Sequence, residues 1–336
     1  MGAATAWWLA RDGREVVLLE RFGPGHTRGS SHGGSRIFRF AYPLPRYVRM
    51  AMLALPLWRE LEADTGATLL ETTGGIDHGD DIGVQAVAEA LDNQGAAYEF
   101  LTAAAAAERW PGMRFDSDVL FQPDAGRCNA DATVAALLEG AARHGAEVRF
   151  DDGAESVSLV HDDVAVRTAA GDEYRAGAAV VAAGAWLEKL AGDLVPLPPF
   201  QVTQEQVFHF APADQDTVWP SFIHHRDPYI YGLETPGEGV KVAEHHAGAV
   251  VDPDTRSFEI DPAGELRVRD YVGTWFPGLD PWPVSSTTCL YTTTPTEDFH
   301  ITRQGALVIV SACSGHGFKF TPLVGRMAAD LVSAKG

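Results

Sequence analysis

The opening stretch, MGAATAWWLARDGREVVLLE, constrains the fold most. Ala3, Ala6, Trp7 and Ala10 recur at i, i+3, i+4 and i+7, which predicts a helix over residues 3–12 with one apolar face. Asp12-Gly13 breaks it, and Glu15–Leu19 is a short strand-forming run that stops at an acid, Glu20. Helix, turn, apolar strand and terminal acid make up the second half of a dinucleotide-binding βαβ unit. Glu20 stands 18 positions after Gly2, near the ~20-residue spacing at which such an acid meets a ribose. A full unit opens with a strand and G-x-G-x-x-G, and here Gly2 alone occupies the place of the third glycine.

With 336 residues, 46% of them hydrophobic, the chain has material for one large or two ordinary domains. Its net charge of −20, from 26 Lys+Arg against 46 Asp+Glu, repels phosphate backbones and anionic lipid, so nucleic-acid and membrane-surface partners are not expected. No apolar run reaches the ~18 residues that span a bilayer. Three cysteines, Cys128, Cys289 and Cys313, suit a reducing compartment, and a cytoplasmic location is expected. There is no C-x-x-C, so a zinc ribbon is not expected.

Along the chain, RFGPGHTRGSSHGGSR (residues 21–36) reads as a long loop. Helices are expected over 46–65, 84–91, 103–110 and 131–144, and a closing helix over 322–334. Short strands are expected over 147–150, 155–161, 164–168, 173–176, 180–183, 287–292 and 306–312. Residues 74–79 look like a strand edge and turn, and 200–275 read as alternating strands and hairpin turns. Strand–helix elements at both ends with β-rich material between them predict an α/β fold of α+β character. A Rossmann-like domain would be built from separated segments, 1–75, 128–199 and 284–336. A mainly antiparallel β substrate domain, 76–127 and 200–283, would be inserted into it.

Several stretches could carry chemistry. Arg28, His32, Arg36 and Arg39 cluster among small residues in an otherwise acidic chain, where they can either hold a carboxylate or pair with local acids. Within that stretch GSSHG (29–33) matches the G-x-S-x-G nucleophile elbow of serine hydrolases. The elbow needs a strand before it and a helix after it, and GPGHTR is no buried strand, so a hydrolase is only a remote alternative. VVAAGAW (180–186) runs an apolar strand into Gly184, where small residues let a pyrophosphate, or merely another backbone, come close. Lys241, between Val240 and Val242, lies opposite an apolar face if this is a strand, a place where a lysine is usually just solvated. His224-His225 and His245-His246 diverge in a strand, and no metal site is expected. CSGHGFKF (313–320) is a glycine turn between the strand ALVIVSA and the closing helix, suited to docking an anion or an electron-rich ring edge.

Taken together, MGAATAWWLARDG…VVLLER, GSSHGGSRIFRFAY, TGG (73–75), ERWPG (108–112), VVAAGAW, YGL…GVKVAEH, CLYTTTPTEDFHI and SGHGFKF resemble the flavin-dependent amine oxidases of the monomeric sarcosine oxidase and N-methyltryptophan oxidase family. The resemblance runs in order over nearly the whole chain. It implies FAD, held covalently through the flavin 8α-methyl by a cysteine thioether, with Cys289 in the matching segment. It implies Arg36 over the flavin, Arg39 and Lys319 on the substrate carboxylate, and Lys241 beside flavin N5 as the residue that promotes oxygen reduction. His245 and Tyr231 would serve the reaction in the substrate cavity, which Tyr291 also borders. FAD contacts are implied for Gly2, Glu20, Arg21, Ser30, His32, Val148, Gly184, Trp186, Gly315, His316, Gly317 and Phe318 as well.

The activity implied is oxidation of a secondary, N-methyl amino acid or related amine to an imine, with oxygen reduced to hydrogen peroxide. The partners would be a small amine substrate and oxygen, and the chain a monomer. Family members start with the strand and glycine motif and continue beyond the last helix seen here. The resemblance therefore implies a shortened N-terminus, a start placed late at Met1 and a shortened C-terminus. A relative unable to load FAD is the competing expectation.

Overall fold

Helix Gly2–Arg11 is buried on nearly every side, with Ala4, Trp7 and Ala10 at 3% exposure or less. In this computed structural model, which describes residues 1–334, it lies between helices Ala130–Arg143 and Thr321–Ser333. Alanines and a glycine permit the close crossing: a Cβ on Gly325 would sit 2.6 Å from the Ala4 Cβ. The indoles keep their N–H groups paired, Trp7 donating to the Asp64 carboxylate at 2.8 Å and Trp8 to the Pro322 carbonyl at 2.9 Å.

Two parallel pairs flank this helix layer. Strand Val17–Leu19 pairs with Glu147–Arg149, and Ala179–Val181 pairs with Leu307–Ser311. His300–Gln304 extends the second pair in antiparallel register. Ala154–Val160, Asp163–Thr168 and Glu173–Ala176 form an antiparallel meander, and a small sheet joins Arg36–Phe38, Gly126–Cys128 and Leu70–Thr72.

The large sheet has nine strands. In order they are Ala249–Val250, Gln201–Pro212, Gly239–Glu244, Ile230–Thr235, Ser221–His225, Gly75–Gly79, Val119–Gln122 and Glu99–Leu101, with Leu279–Thr293 also paired to Gln201–Pro212. Every pairing is antiparallel except Gly75–Gly79 with Ser221–His225. Strand Leu279–Thr293 runs without a break through the domain boundary expected at 284. One face of the large sheet closes over a core of Phe208, Phe210, Phe222, Val240, Val242 and Phe276. A second core holds the first helix, Trp58, Leu61 and the closing helix.

One reading is corrected here. Residues 262–275, taken as part of a run of strands, form a helix, Pro262–Trp275. Asp261 caps it by accepting from the Ala263 and Gly264 amides, and Pro262 stands at its first turn. Val268, Tyr271 and Val272 face inward at i, i+3, i+4. The GSSHG stretch behaves as its flanking residues predict. Turns and bends precede it and strand Arg36–Phe38 follows, so no nucleophile elbow forms. Ser31 is exposed, while the Ser30 hydroxyl donates to the Leu290 carbonyl at 2.6 Å. No helix among the described residues is long and apolar enough to cross a membrane.

Candidate active site

A cavity of about 2030 Å³ opens between the parallel pairs and the large sheet. That exceeds the roughly 300–1,000 Å³ of an ordinary ligand pocket and leaves room for a large cofactor beside a substrate. Gly2, Glu20, Arg21, Gly184 and Trp186 line one part of it. Ser30, His32, Arg36, Lys241 and Cys289 line another, with Gly315, His316, Gly317, Phe318 and Lys319 along the closing turn. Tyr231, His245, Tyr291 and Arg39 complete the wall. Val148, expected at the cofactor, is not among the lining residues; it sits beside Leu18 in the parallel ladder, and Leu18 is the one of the two that lines the cavity.

Lys241 is the clearest outcome of strand alternation. Val240 and Val242 are fully buried on the core face, and the lysine points the other way, into the cavity rather than into bulk solvent. It is only 4% exposed, and its ammonium donates to the Ser35 carbonyl at 2.5 Å. Burial, reinforced by the Arg36 charge, pulls its pKa down to about 7. Arg36 spends its guanidinium on the carbonyls of Ser35, Ser30 and His32 at 2.8, 3.0 and 2.5 Å, and stands 5.9 Å from the Phe318 ring. Both cations are held by carbonyls rather than carboxylates, so their charge remains available to the cavity.

Around Tyr42 a second cationic pair converges. The Arg39 guanidinium lies 4.8 Å over its ring, and the Lys319 ammonium donates to its hydroxyl at 2.7 Å and to the His316 carbonyl at 2.9 Å. Lys319 is buried, and that burial, helped by Arg39, lowers its pKa to about 7. Behind Arg39, the Asp77 carboxylate accepts from the guanidinium at 2.9 Å and meets the His225 Nε2 at 2.8 Å. Sequence reasoning missed Asp77 and His225. Their signal was an acid and a histidine in apolar strands, GGIDHG and SFIHH, at positions that share one sheet face. It also left Tyr42 without a role, although FRFAY contains it.

A polar but uncharged wall completes the site. Tyr291 reaches the His245 Nδ1 at 3.3 Å and donates to the Tyr231 hydroxyl at 3.4 Å. Burial holds the His245 pKa well below its usual value and raises both tyrosines, so all three are neutral at neutral pH. Gly315, at φ +75°, turns the chain beneath them, and a Cβ there would come within 2.4 Å of the Tyr291 ring. Cys289 is buried and its thiol pKa is raised by that burial, whereas Cys313 is half-buried and donates weakly to Ser30. Cys128 is buried against the Arg36 carbonyl and is not in the cavity lining.

At the far end Glu20 accepts from the Phe22 amide at 3.0 Å, and Arg21 and the Trp186 indole both donate to Asp254, at 2.7 and 2.8 Å. The residues present fit FAD. The His32 Nε2 is buried with no partner, two cations lack carboxylates, and the amides of the first helix start at the cavity wall.

Residues 1–331 match the family model described as FAD dependent oxidoreductase. The chain is similar to the monomeric sarcosine oxidase of Bacillus sp. (strain NS-129), 32% identical, with 99% of this chain and 90% of that protein aligned. It is likewise similar to the N-methyl-L-tryptophan oxidase of Citrobacter koseri, 30% identical over all of this chain and 92% of that one. Among solved structures it superposes on NikD, titled an unusual amino acid oxidase essential for nikkomycin biosynthesis, with a TM-score of 0.89 and 28% identity, over 99% of this chain and 92% of NikD. A cavity of cofactor size, two lining cations held by carbonyls alone and these likenesses agree: the chain belongs to the FAD-dependent oxidoreductase family, and FAD is its cofactor.

Proposed function

We propose that this protein oxidises the C–N bond of a secondary, N-methyl α-amino acid, releasing formaldehyde and the primary amino acid while O₂ and water are consumed and hydrogen peroxide forms. What supports the substrate class is the convergence of Arg39 and Lys319 on Tyr42. Two cations at one point of a buried wall suit one carboxylate, and the relatives' names point to N-methyl amino acids. FAD, when bound, takes the hydrogen and two electrons from the substrate carbon and returns the electrons to O₂.

The chain's own residues supply position and charge. Arg39 and Lys319 orient the carboxylate and raise the effective concentration of the reacting carbon. A carboxylate arriving beside Lys319 favours its charged form and offsets the lowering by burial. Tyr231, Tyr291 and His245 flank the amine with neutral hydrogen-bonding groups, so the nitrogen is held in its uncharged, oxidisable form. Lys241 and Arg36 stabilise negative charge as it builds on oxygen. Cys289 is the residue we assign to a thioether with the flavin, with Cys313 as a neighbouring free thiol. The reading takes the protein as a monomer, and its three free cysteines fit a reducing cytoplasm.

The test is turnover of N-methyl amino acids by flavin-loaded protein in air. Formaldehyde and hydrogen peroxide should appear in equal amounts. If a series of N-methyl amino acids yields neither, the substrate class is wrong.

A further inference from the structure

The two strands that support Arg39 carry a second histidine pair on their opposite face. In the parallel register Asp77 stands beside Ile223 and His78 beside His224, so alternation sends Asp77 and His225 to the side of Arg39 and His78 and His224 to the opposite side. His78 is 1% exposed and His224 4%. Their rings stack with centroids 4.1 Å apart and planes 28° from parallel. The His224 Nδ1 is paired with the Tyr271 hydroxyl at 3.0 Å, which leaves its Nε2 available. His78 has no partner at all: both ring nitrogens are buried without a hydrogen bond. An unpaired buried imidazole is costly and calls for a ligand. Beside the pair, Asp116 projects from an exposed loop, and one donor atom from each of the three residues lies within 4.8 Å of the others.

We propose that His78, His224 and Asp116 bind one late first-row divalent cation of the zinc type, with solvent at the fourth position. Two imidazoles and a carboxylate suit Zn²⁺, Ni²⁺ or Cu²⁺, whereas Ca²⁺ and Mg²⁺ take oxygen ligands. Burial keeps both histidines in the neutral, ligating form, with the His224 pKa down at about 4. The Arg226 guanidinium, 5.4 Å over the Tyr271 ring, opposes a cation here, and the Asp116 carboxylate offsets it. Phe115 and Trp275 wall the site with rings 5.2 and 6.4 Å from His78. Donor atoms on a tetrahedral zinc lie about 3.3 Å apart, given bonds of roughly 2.0–2.1 Å. The exposed Asp116 loop supplies the closing movement while the stacked rings splay. The bound ion fastens that loop to the two strands whose adjacent residues are Asp77, which accepts from Arg39, and His225, which is paired with Asp77.

The experiment is calorimetric titration of chelator-stripped protein with ZnCl₂, paired with thermal melts. The wild-type chain should bind one equivalent and melt higher with zinc. Asp116→Asn, on an exposed loop, should bind more weakly by more than the roughly 10–100-fold lost when only an outer partner of a metal ligand is removed. His78→Phe places a ring where the unpaired imidazole sits, and should remove both the binding and the zinc-dependent rise in melting temperature. Absence of saturable one-to-one binding overturns the proposal. So does binding of undiminished strength in Asp116→Asn, which places the ion among the protein's other histidines; that single variant decides the matter even if His78→Phe does not fold.

Discussion

Replacing Lys241 by methionine keeps the length of the side chain and removes its charge. The lysine's pKa falls from 10.5 to about 7, chiefly through burial and then through Arg36. Holding the ammonium at about 7 rather than 10.5 amounts to a destabilisation of about 5 kcal/mol, at about 1.36 kcal/mol for each tenfold change in proton affinity. Between pH 7 and 10.5 the unfolded chain holds a proton that the folded chain does not, so the penalty is complete below about 7 and disappears as pH rises toward 10.5. Methionine escapes that penalty but leaves the Ser35 carbonyl without its donor, at a cost of about 1–3 kcal/mol. Lys241→Met should therefore be more stable than the wild type by about 2–4 kcal/mol below neutral pH. The gain should shrink with rising pH and change sign as the lysine nears its unfolded pKa. Urea unfolding of both proteins over that pH range measures it. A variant less stable in mild acid, or a difference that does not vary with pH, would refute the burial argument.

Other outcomes follow from the same site. Lys241→Met should slow reoxidation of the reduced enzyme by O₂ by on the order of 10²-fold, with little change in anaerobic reduction by substrate, as stopped-flow traces of the two half-reactions will show. Arg39→Ala should cost on the order of 2–5 kcal/mol in binding carboxylate-bearing substrates and much less for the matching decarboxylated amines, read from KM and from competitive inhibition. Asp77→Asn removes the charge that holds Arg39 while leaving its shape; KM for amino acids should rise with kcat nearly kept, and equal changes for decarboxylated amines would remove Asp77 from that role. Cys289→Ser should leave flavin that acid precipitation releases into the supernatant, and retention of the label there together with loss in Cys313→Ser would move the bond to the other thiol.

Periodicity made much of the framework readable. The helix at Gly2–Arg11 and the strand pairs on either side of it follow from alternating or helical spacing of apolar residues, which is local information. Helix Pro262–Trp275 was hidden although its Asp-Pro start signal was present, because Val, Tyr, Thr and Trp in its body look like strand material and tertiary packing decided the matter. Lys241 shows a different limit. Alternation placed it opposite the valines, but whether that side meets solvent or a cavity depends on strands more than thirty residues away in sequence. Asp77 and His225 become one unit only when two distant strands pair in parallel, which no local pattern announces. The GSSHG motif was legible as a string and void as an elbow, since its chemistry lies in a strand–turn–helix that these residues do not form.

The most direct measurement of the central claim is anaerobic mixing of the flavin-loaded protein with an N-methyl α-amino acid, followed by the visible flavin absorbance. The account predicts loss of that absorbance with a rate that saturates in substrate, its return on admission of oxygen, and a saturation constant far weaker in Arg39→Ala. Persistence of the oxidised spectrum with every N-methyl amino acid tried, in protein that carries a full complement of flavin, would contradict it.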